Sequence, residues 1–377
     1  MRIIMENWSL FYPIKIAKRY KNTKRSYLLV NCLQGKHMPV RPEKAMGLYK
    51  SLGTFFKDQY PNAKLVIGFA ETATAVGFGV AKALGNDVTY LTTTREPHIS
   101  DDDCICFFEE HSHATEQKMY VKEFKSLLHR TNEIIMIDDE ISTGKTLLNI
   151  TNELKRTFPE IYDKRIVIGS ILNRITKERE DIFNQNNIYF ESIFKTSVSD
   201  PELIRNGTEL TAPSDEFYNA KTSNNHKPFH FAFSDVRTSI NVQDYLDNCQ
   251  QLACCIMEHF SFSRYKRILV LGTEECMYPA IYVARMIENK YNIEAFCHAT
   301  TRSPICVSRD EGYPIQNGYI IPSFYDDKRI SYIYNLQEYD AAFIISDTIR
   351  ASENAITSLD KVLASYHITD RFYIIGG

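Results

Sequence analysis

Two adjacent carboxylates close a run of four apolar residues in the stretch Ile134 to Thr146, which reads IIMIDDEISTGKT. Asp138 and Asp139 are suited to accept hydrogen bonds from vicinal hydroxyls, such as those of a ribose, and equally to hold a hydrated Mg²⁺. The turn Ser142-Thr143-Gly144-Lys145-Thr146 follows. Its glycine permits a tight bend. Hydroxyls and consecutive backbone N–H groups at a helix start cradle phosphate. A sugar phosphate is the ligand that uses both halves of this string.

Such a site needs a buried strand that ends in the acids and a helix that starts at the turn. Short apolar runs alternate with helical patterns along the chain: Tyr27 to Asn31, Leu65 to Phe69, Val88 to Thr92, Ile134 to Ile137 and Arg165 to Leu172. Helical spacing separates them, as in Val76, Val80 and Leu84, or Leu147, Ile150, Leu154 and Phe158. This is the rhythm of βαβ units and a mostly parallel sheet. An Asn-, Thr-, Ser-, Pro- and Lys-rich stretch reads as a linker, and the expected division is 1–205, linker 206–228, then 229–377.

The rhythm then repeats. TTREP at Thr93 to Pro97 has a counterpart in TTRSP at Thr300 to Pro304. Gly68 to Arg95 is 27 residues and Gly272 to Arg302 is 30; Arg95 to Asp139 is 44 and Arg302 to Asp347 is 45. Shared α/β rhythm alone would give some of this, but the coincident strings favour a degenerate internal duplication. In the second copy SDTIRASEN, Ser346 to Asn354, stands against DDEISTGKT. One acid and the turn glycine are gone, so the second domain is expected not to use the first domain's ligand.

Composition sets limits. The chain has 377 residues and a net charge of −3, so no basic excess advertises nucleic acid. No apolar run approaches a membrane span, and the expected location is the cytoplasm. Nine cysteines without a CxxC pair point to reduced thiols rather than a disulfide or zinc framework.

The string of hydrophobics, two acids and T-G-x-T resembles the phosphoribosyl-diphosphate (PRPP) motif of type I phosphoribosyltransferases. A P-loop also contains GKT, but it needs a glycine five residues before Gly144, where Asp139 stands. With TRSP at Thr301 to Pro304, the chain resembles two-domain phosphoribosyltransferase/TRSP proteins encoded beside bacterial tellurium-resistance genes. The resemblance implies a Rossmann-like, parallel-sheet α/β domain followed by a degenerate α/β domain of the same ancestry. It implies transfer of a 5-phosphoribosyl group from PRPP, with Mg²⁺, to an acceptor such as a nitrogen heterocycle, towards a nucleoside-like metabolite. The alternative is a regulator that senses PRPP without turnover, since known regulators retain the fold; a third possibility runs the chemistry backward, with diphosphate or phosphate cleaving a nucleotide.

The resemblance also carries over residue by residue. Ala70, Glu71 and Thr72 occupy the pyrophosphate loop. Arg95 would neutralise diphosphate, and Lys36 falls in the segment that forms a base-binding hood. Pro97 to Met119 lies where such enzymes have a mobile catalytic loop, with Glu110, His111 and His113 as candidates. For the two histidines, an acid role, a metal role and a solvated loop position are all open. Arg302 would either reach the first site in an internal pseudo-dimer, bind a separate ligand, or merely follow a capped turn. Association into a homodimer is compatible with this.

Overall fold

Ile134, Ile135, Met136 and Ile137 are fully buried because the strand Glu133–Ile141 lies mid-sheet, with packing on both faces. A continuous apolar run is what a parallel strand covered on both sides requires. A computed structural model describes residues 3–4, 13–21, 26–96, 104–108, 116–196, 209–218 and 227–377. It divides into two compact units, one of residues 1–10, 47–200 and 234–246, the other of residues 11–46, 201–233 and 247–377.

In the first unit a seven-stranded sheet runs in the order Ile3–Ile4, Ile188–Lys195, Arg165–Asn173, Glu133–Ile141, Leu65–Gly68, Thr89–Thr92, Ile240–Asn241. Every pairing is parallel except the last. Leu65–Gly68 continues through the helix Thr74–Leu84 to Thr89–Thr92 on one side; Glu133–Ile141 continues through Lys145–Thr157 to Arg165–Asn173 on the other. The order of the sheet therefore reverses between these two central strands. Ligands of open α/β sheets bind beyond the strand ends at such a switch. Leu147, Ile150 and Leu154 turn the Lys145–Thr157 helix onto the core that holds Ile134, Met136 and Ile168.

The segment expected to be an irregular loop, Pro97 to Met119, contains an antiparallel hairpin of Cys104–Phe108 and Glu116–Tyr120. Ile105, Phe107 and Met119 fix it to the core of this unit.

The second unit is built on a five-stranded parallel sheet in the order Phe229–Phe231, Asp370–Gly376, Ala341–Ser346, Arg267–Gly272, Glu294–Ala299. Its switch lies between Ala341–Ser346 and Arg267–Gly272, as in the first sheet. The helices Tyr278–Tyr291 and Glu353–Ser365 and the hairpin Gly318–Pro322 with Ile330–Tyr334 also belong to it.

Two expectations are corrected here. Tyr27–Asn31 is no member of the parallel sheet; it pairs antiparallel with Ile14–Lys18. Ala17, Leu28 and Val30 of this hairpin pack with Ile305, Val307, Tyr332 and Tyr334, which places it in the second unit. The described part of the expected linker is also packed: Thr211 bridges Val307, and Ser214 exchanges backbone bonds with Gly318 and Ile320. The helices Pro42–Gln59 and Val242–His259 each cross from one unit to the other. All nine cysteines are free, and no helix among the described residues is long and apolar enough to cross a membrane.

Candidate active site

The switch of the first sheet brings together two segments that lie far apart in sequence. After Gly68 the chain turns through Phe69 to Ala73 before the helix begins at Thr74. Beside it, Glu133–Ile141 ends in the acids. Phe69 N–H donates to the Ile137 carbonyl at 2.9 Å, which laces the turn to the last buried residue before the acid pair. Thr72 Oγ1 then donates to Asp139 Oδ1 at 2.7 Å, so the expected pyrophosphate loop and the acid pair meet. The Ala70–Glu71 peptide bond is cis.

The three acids at this strand end have different surroundings. Asp138 Oδ1 accepts the N–H of the next residue, Asp139, at 2.9 Å, which orients its carboxylate. Glu140, on the same strand, is paired with Arg174 at 3.4 Å, and both side chains are largely buried. Burial pushes the Asp139 carboxyl above the usual carboxylate range; the Thr72 hydroxyl pulls it down and Glu140 pushes it further up. A group so placed gains most from a cation or a hydrogen-bond donor that stabilises its ionised form.

The phosphate turn is built as its residue types require. Gly144 has φ +71° and forms the N-cap of the Lys145–Thr157 helix, so it brings no side chain to the first turn. A Cβ at this position would stand 3.0 Å from Ile175 Cδ1 and 3.1 Å from Phe183 Cζ, on top of the strained backbone. Thr143 Oγ1 lies 3.4 Å from the Lys145 N–H; Ser142, Thr143 and Thr146 are half-buried and Lys145 is exposed.

Several residues with structural roles here were not singled out from the sequence. Thr93 Oγ1 accepts the Ala70 N–H at 2.8 Å and donates to Gln117 Oε1 at 2.9 Å, joining turn, strand end and hairpin. The Ala70 N–H is thereby spent, so it is not among the amides that meet a ligand in this conformation. Thr94 pairs with Lys118 through two backbone bonds of 2.8 Å. Arg95 is half-buried between the buried Thr94 and Glu96. The TTR run at a strand end was the available signal, but nothing local marks its first threonine as the hub.

Two expected binding residues belong to the second unit. Lys36 is fully buried in the second unit, where its Nζ donates to the Glu274 carbonyl at 2.6 Å. Arg302 binds Glu274 at 2.6 Å in the same unit. Glu110, His111 and His113 lie outside the described residues. A surface cleft lined by Phe229, His259, Phe260 and Phe372 belongs to the second unit and contains none of the expected site residues.

Among the described residues no group of three or more His, Cys, Asp or Glu side chains forms a metal cage. The Asp138–Asp139 pair instead fits Mg²⁺, which keeps several waters and is held by one or two carboxylates together with substrate phosphates.

Comparison with known families accounts for most of the chain. Residues 14–194 match the family model described as phosphoribosyl transferase, and residues 239–363 match the one described as the TRSP domain C-terminal to it. The chain carries a phosphoribosyltransferase domain followed by a TRSP domain. The phosphoribosyltransferase match contains the acid pair, the glycine turn, the Gly68 to Thr74 turn and Arg95. Among solved structures, adenine phosphoribosyltransferase from Giardia lamblia complexed with 9-deazaadenine is 16% identical, covering 49% of this chain and 94% of that one, with a TM-score of 0.35. The Trypanosoma brucei enzyme, in complex with AMP, pyrophosphate and ribose-5-phosphate, is 15% identical over 44% of this chain and 70% of that one, with a TM-score of 0.33. These likenesses are too distant to carry a functional argument. No curated protein matches the chain.

Proposed function

We propose that the phosphoribosyltransferase domain transfers a 5-phosphoribosyl group from PRPP to a nitrogen heterocycle and releases diphosphate. The observation that carries this reading is the junction at the sheet's switch, where Thr72 of the turn after Gly68 binds Asp139 beside a glycine-started helix. One side of the junction offers acids for the ribose hydroxyls, the other a turn for diphosphate, and the helix start offers N–H groups for the 5′-phosphate.

Asp138 and Asp139 hold the ribose hydroxyls as positive charge develops at the anomeric carbon. The Thr143 to Thr146 turn anchors the 5′-phosphate, and Arg95 faces the departing diphosphate. Mg²⁺, held by Asp138 and Asp139, would neutralise phosphate charge when bound. The protein's share is positioning and electrostatic stabilisation, with no covalent nucleophile.

The matching bonds of the two sheets support a common ancestry for the two domains, and the loss of the glycine turn near Ala351 supports a second domain that does not use PRPP. Calorimetry with PRPP and Mg²⁺ tests the site. Asp138→Asn with Asp139→Asn should weaken binding at least about tenfold, the equivalent of one lost charge-assisted contact of about 1.4 kcal/mol. Gly144→Val should weaken it through the blocked turn. Unchanged affinity in both variants would remove PRPP from this site.

A further inference from the structure

The second sheet repeats, bond for bond, the framework of the first sheet's switch. Thr300 N–H donates to the Gly272 carbonyl at 3.0 Å, as Thr93 N–H does to Gly68 at 3.0 Å. Thr273 N–H reaches the Ile345 carbonyl at 3.1 Å, as Phe69 N–H reaches Ile137 at 2.9 Å. Glu274 N–H donates to Thr300 Oγ1 at 3.0 Å, as Ala70 N–H donates to Thr93 Oγ1 at 2.8 Å. Thr301 exchanges backbone bonds with Tyr332, as Thr94 does with Lys118. In this register Arg302 stands where the first sheet has Arg95, and Glu274 stands where it has Ala70.

Glu274 is fully buried, and its carboxylate is surrounded by donors. Oε2 accepts from Arg302 Nε at 2.6 Å and Arg329 Nη2 at 3.0 Å; Oε1 accepts from the Ser323 hydroxyl at 2.5 Å. Arg329 also donates to Ser323 at 2.8 Å, which closes the ring. Glu275 adds a weaker countercharge, 3.8 Å from Arg302. Two guanidinium groups and a hydroxyl converging on one carboxylate are the donor set that proteins present to a small oxyanion. Held together without an anion between them, the two arginines would repel each other in a poorly solvated place.

We propose that the second unit contains an oxyanion site, built on the same frame as the first unit's turn, whose resident occupant is its own Glu274 carboxylate. The inference uses the proposed function only to name diphosphate as one anion of the class. It explains why Arg302 persists in a domain that lost the glycine turn: its partner is an internal carboxylate. A purely structural ion network would need the covalently attached glutamate; a site with a resident anion accepts a free one in its place.

Melting of the full-length chain tests this with acetate, phosphate and diphosphate at matched ionic strength. Glu274→Ala should melt several degrees below wild type, because two half-buried arginines lose their buried counter-ion. Added anion should recover most of that loss, beyond any shift it causes in wild type. Adding Arg302→Ala to the variant should abolish the recovery. Stronger recovery with acetate identifies a carboxylate site, and stronger recovery with diphosphate a site of the first sheet's class. No anion-specific recovery, or recovery that survives loss of Arg302, overturns the proposal. If Glu274→Ala yields no folded protein, Glu274→Gln decides, since it keeps the volume and removes the charge. It should melt below wild type, with part of the loss regained by Arg302→Gln; melting equal to wild type overturns the proposal. A diphosphate shift of wild type alone would report on the first domain, so the two readings fail separately.

Discussion

Asp138, Asp139 and the Ser142 to Thr146 turn are legible in the sequence because they are contiguous and their spacing is local. Thr93 and Glu274 are not, because their roles come from partners elsewhere in the chain: Thr93 with Gln117, and Glu274 with Arg329 and Ser323. His298 belongs to the same class. It is buried and bonded to the Tyr334 carbonyl at 2.7 Å, and burial pushes its pKa down to about 4, with Lys36 adding to the effect. An imidazole neutral in the native state but titrating normally when unfolded favours unfolding as pH falls below about 6.5. Its contribution is therefore present above that value and lost progressively towards pH 4. Denaturant titrations should show wild type losing up to about 3 kcal/mol more than His298→Gln between neutral pH and pH 4. Parallel pH curves for the two proteins would contradict the buried, neutral imidazole.

At the scale of elements, the parallel strands and their helices follow from apolar runs and helical spacing, and Glu133–Ile141 and Lys145–Thr157 lie where those patterns put them. The hairpins were obscured for physical reasons. In Cys104–Phe108 the outward residues are cysteines and the inward ones Ile105 and Phe107, so apolar and half-apolar positions alternate without a polar marker. Tyr27–Asn31 shows the same short apolar run whether it joins a buried sheet or an antiparallel pair; the decision lies with Ile14–Lys18 and the residues that cover both strands. The Cys104–Tyr120 hairpin is tied to the turn after Gly68 through Thr93 and Gln117. Thr93→Val keeps the shape and removes the hydroxyl, leaving the Ala70 N–H and Gln117 Oε1 without that partner. A loss of about 1–3 kcal/mol of stability is expected, with faster amide exchange in both turn and hairpin. Exchange confined to residue 93's immediate neighbours would show that the hydroxyl does not couple them.

At the scale of the whole molecule, linear order and compact unit do not coincide. Residues 11–46 lie in sequence between Ile3–Ile4 and the other strands of the phosphoribosyltransferase sheet yet pack with the second unit, while residues 234–246 return to the first. No local pattern reveals this, because hydrophobic periodicity says that a face is buried and not by which partner. Expression of residues 1–215 alone should accordingly fail to give a stable protein. The apolar face of Ala17, Leu28 and Val30 would lose Ile305, Tyr332 and Tyr334, which cover it. A cooperative melt of that fragment matching the full chain would contradict the interleaved division. Catalysis by the first domain is read out by turnover: the full chain incubated with PRPP, Mg²⁺ and a panel of heterocyclic bases, with products identified by mass spectrometry. A phosphoribosylated base and diphosphate are expected, both lost in the Asp138→Asn, Asp139→Asn variant. PRPP bound tightly by wild type but converted with none of the bases would contradict catalysis and favour a PRPP-sensing regulator.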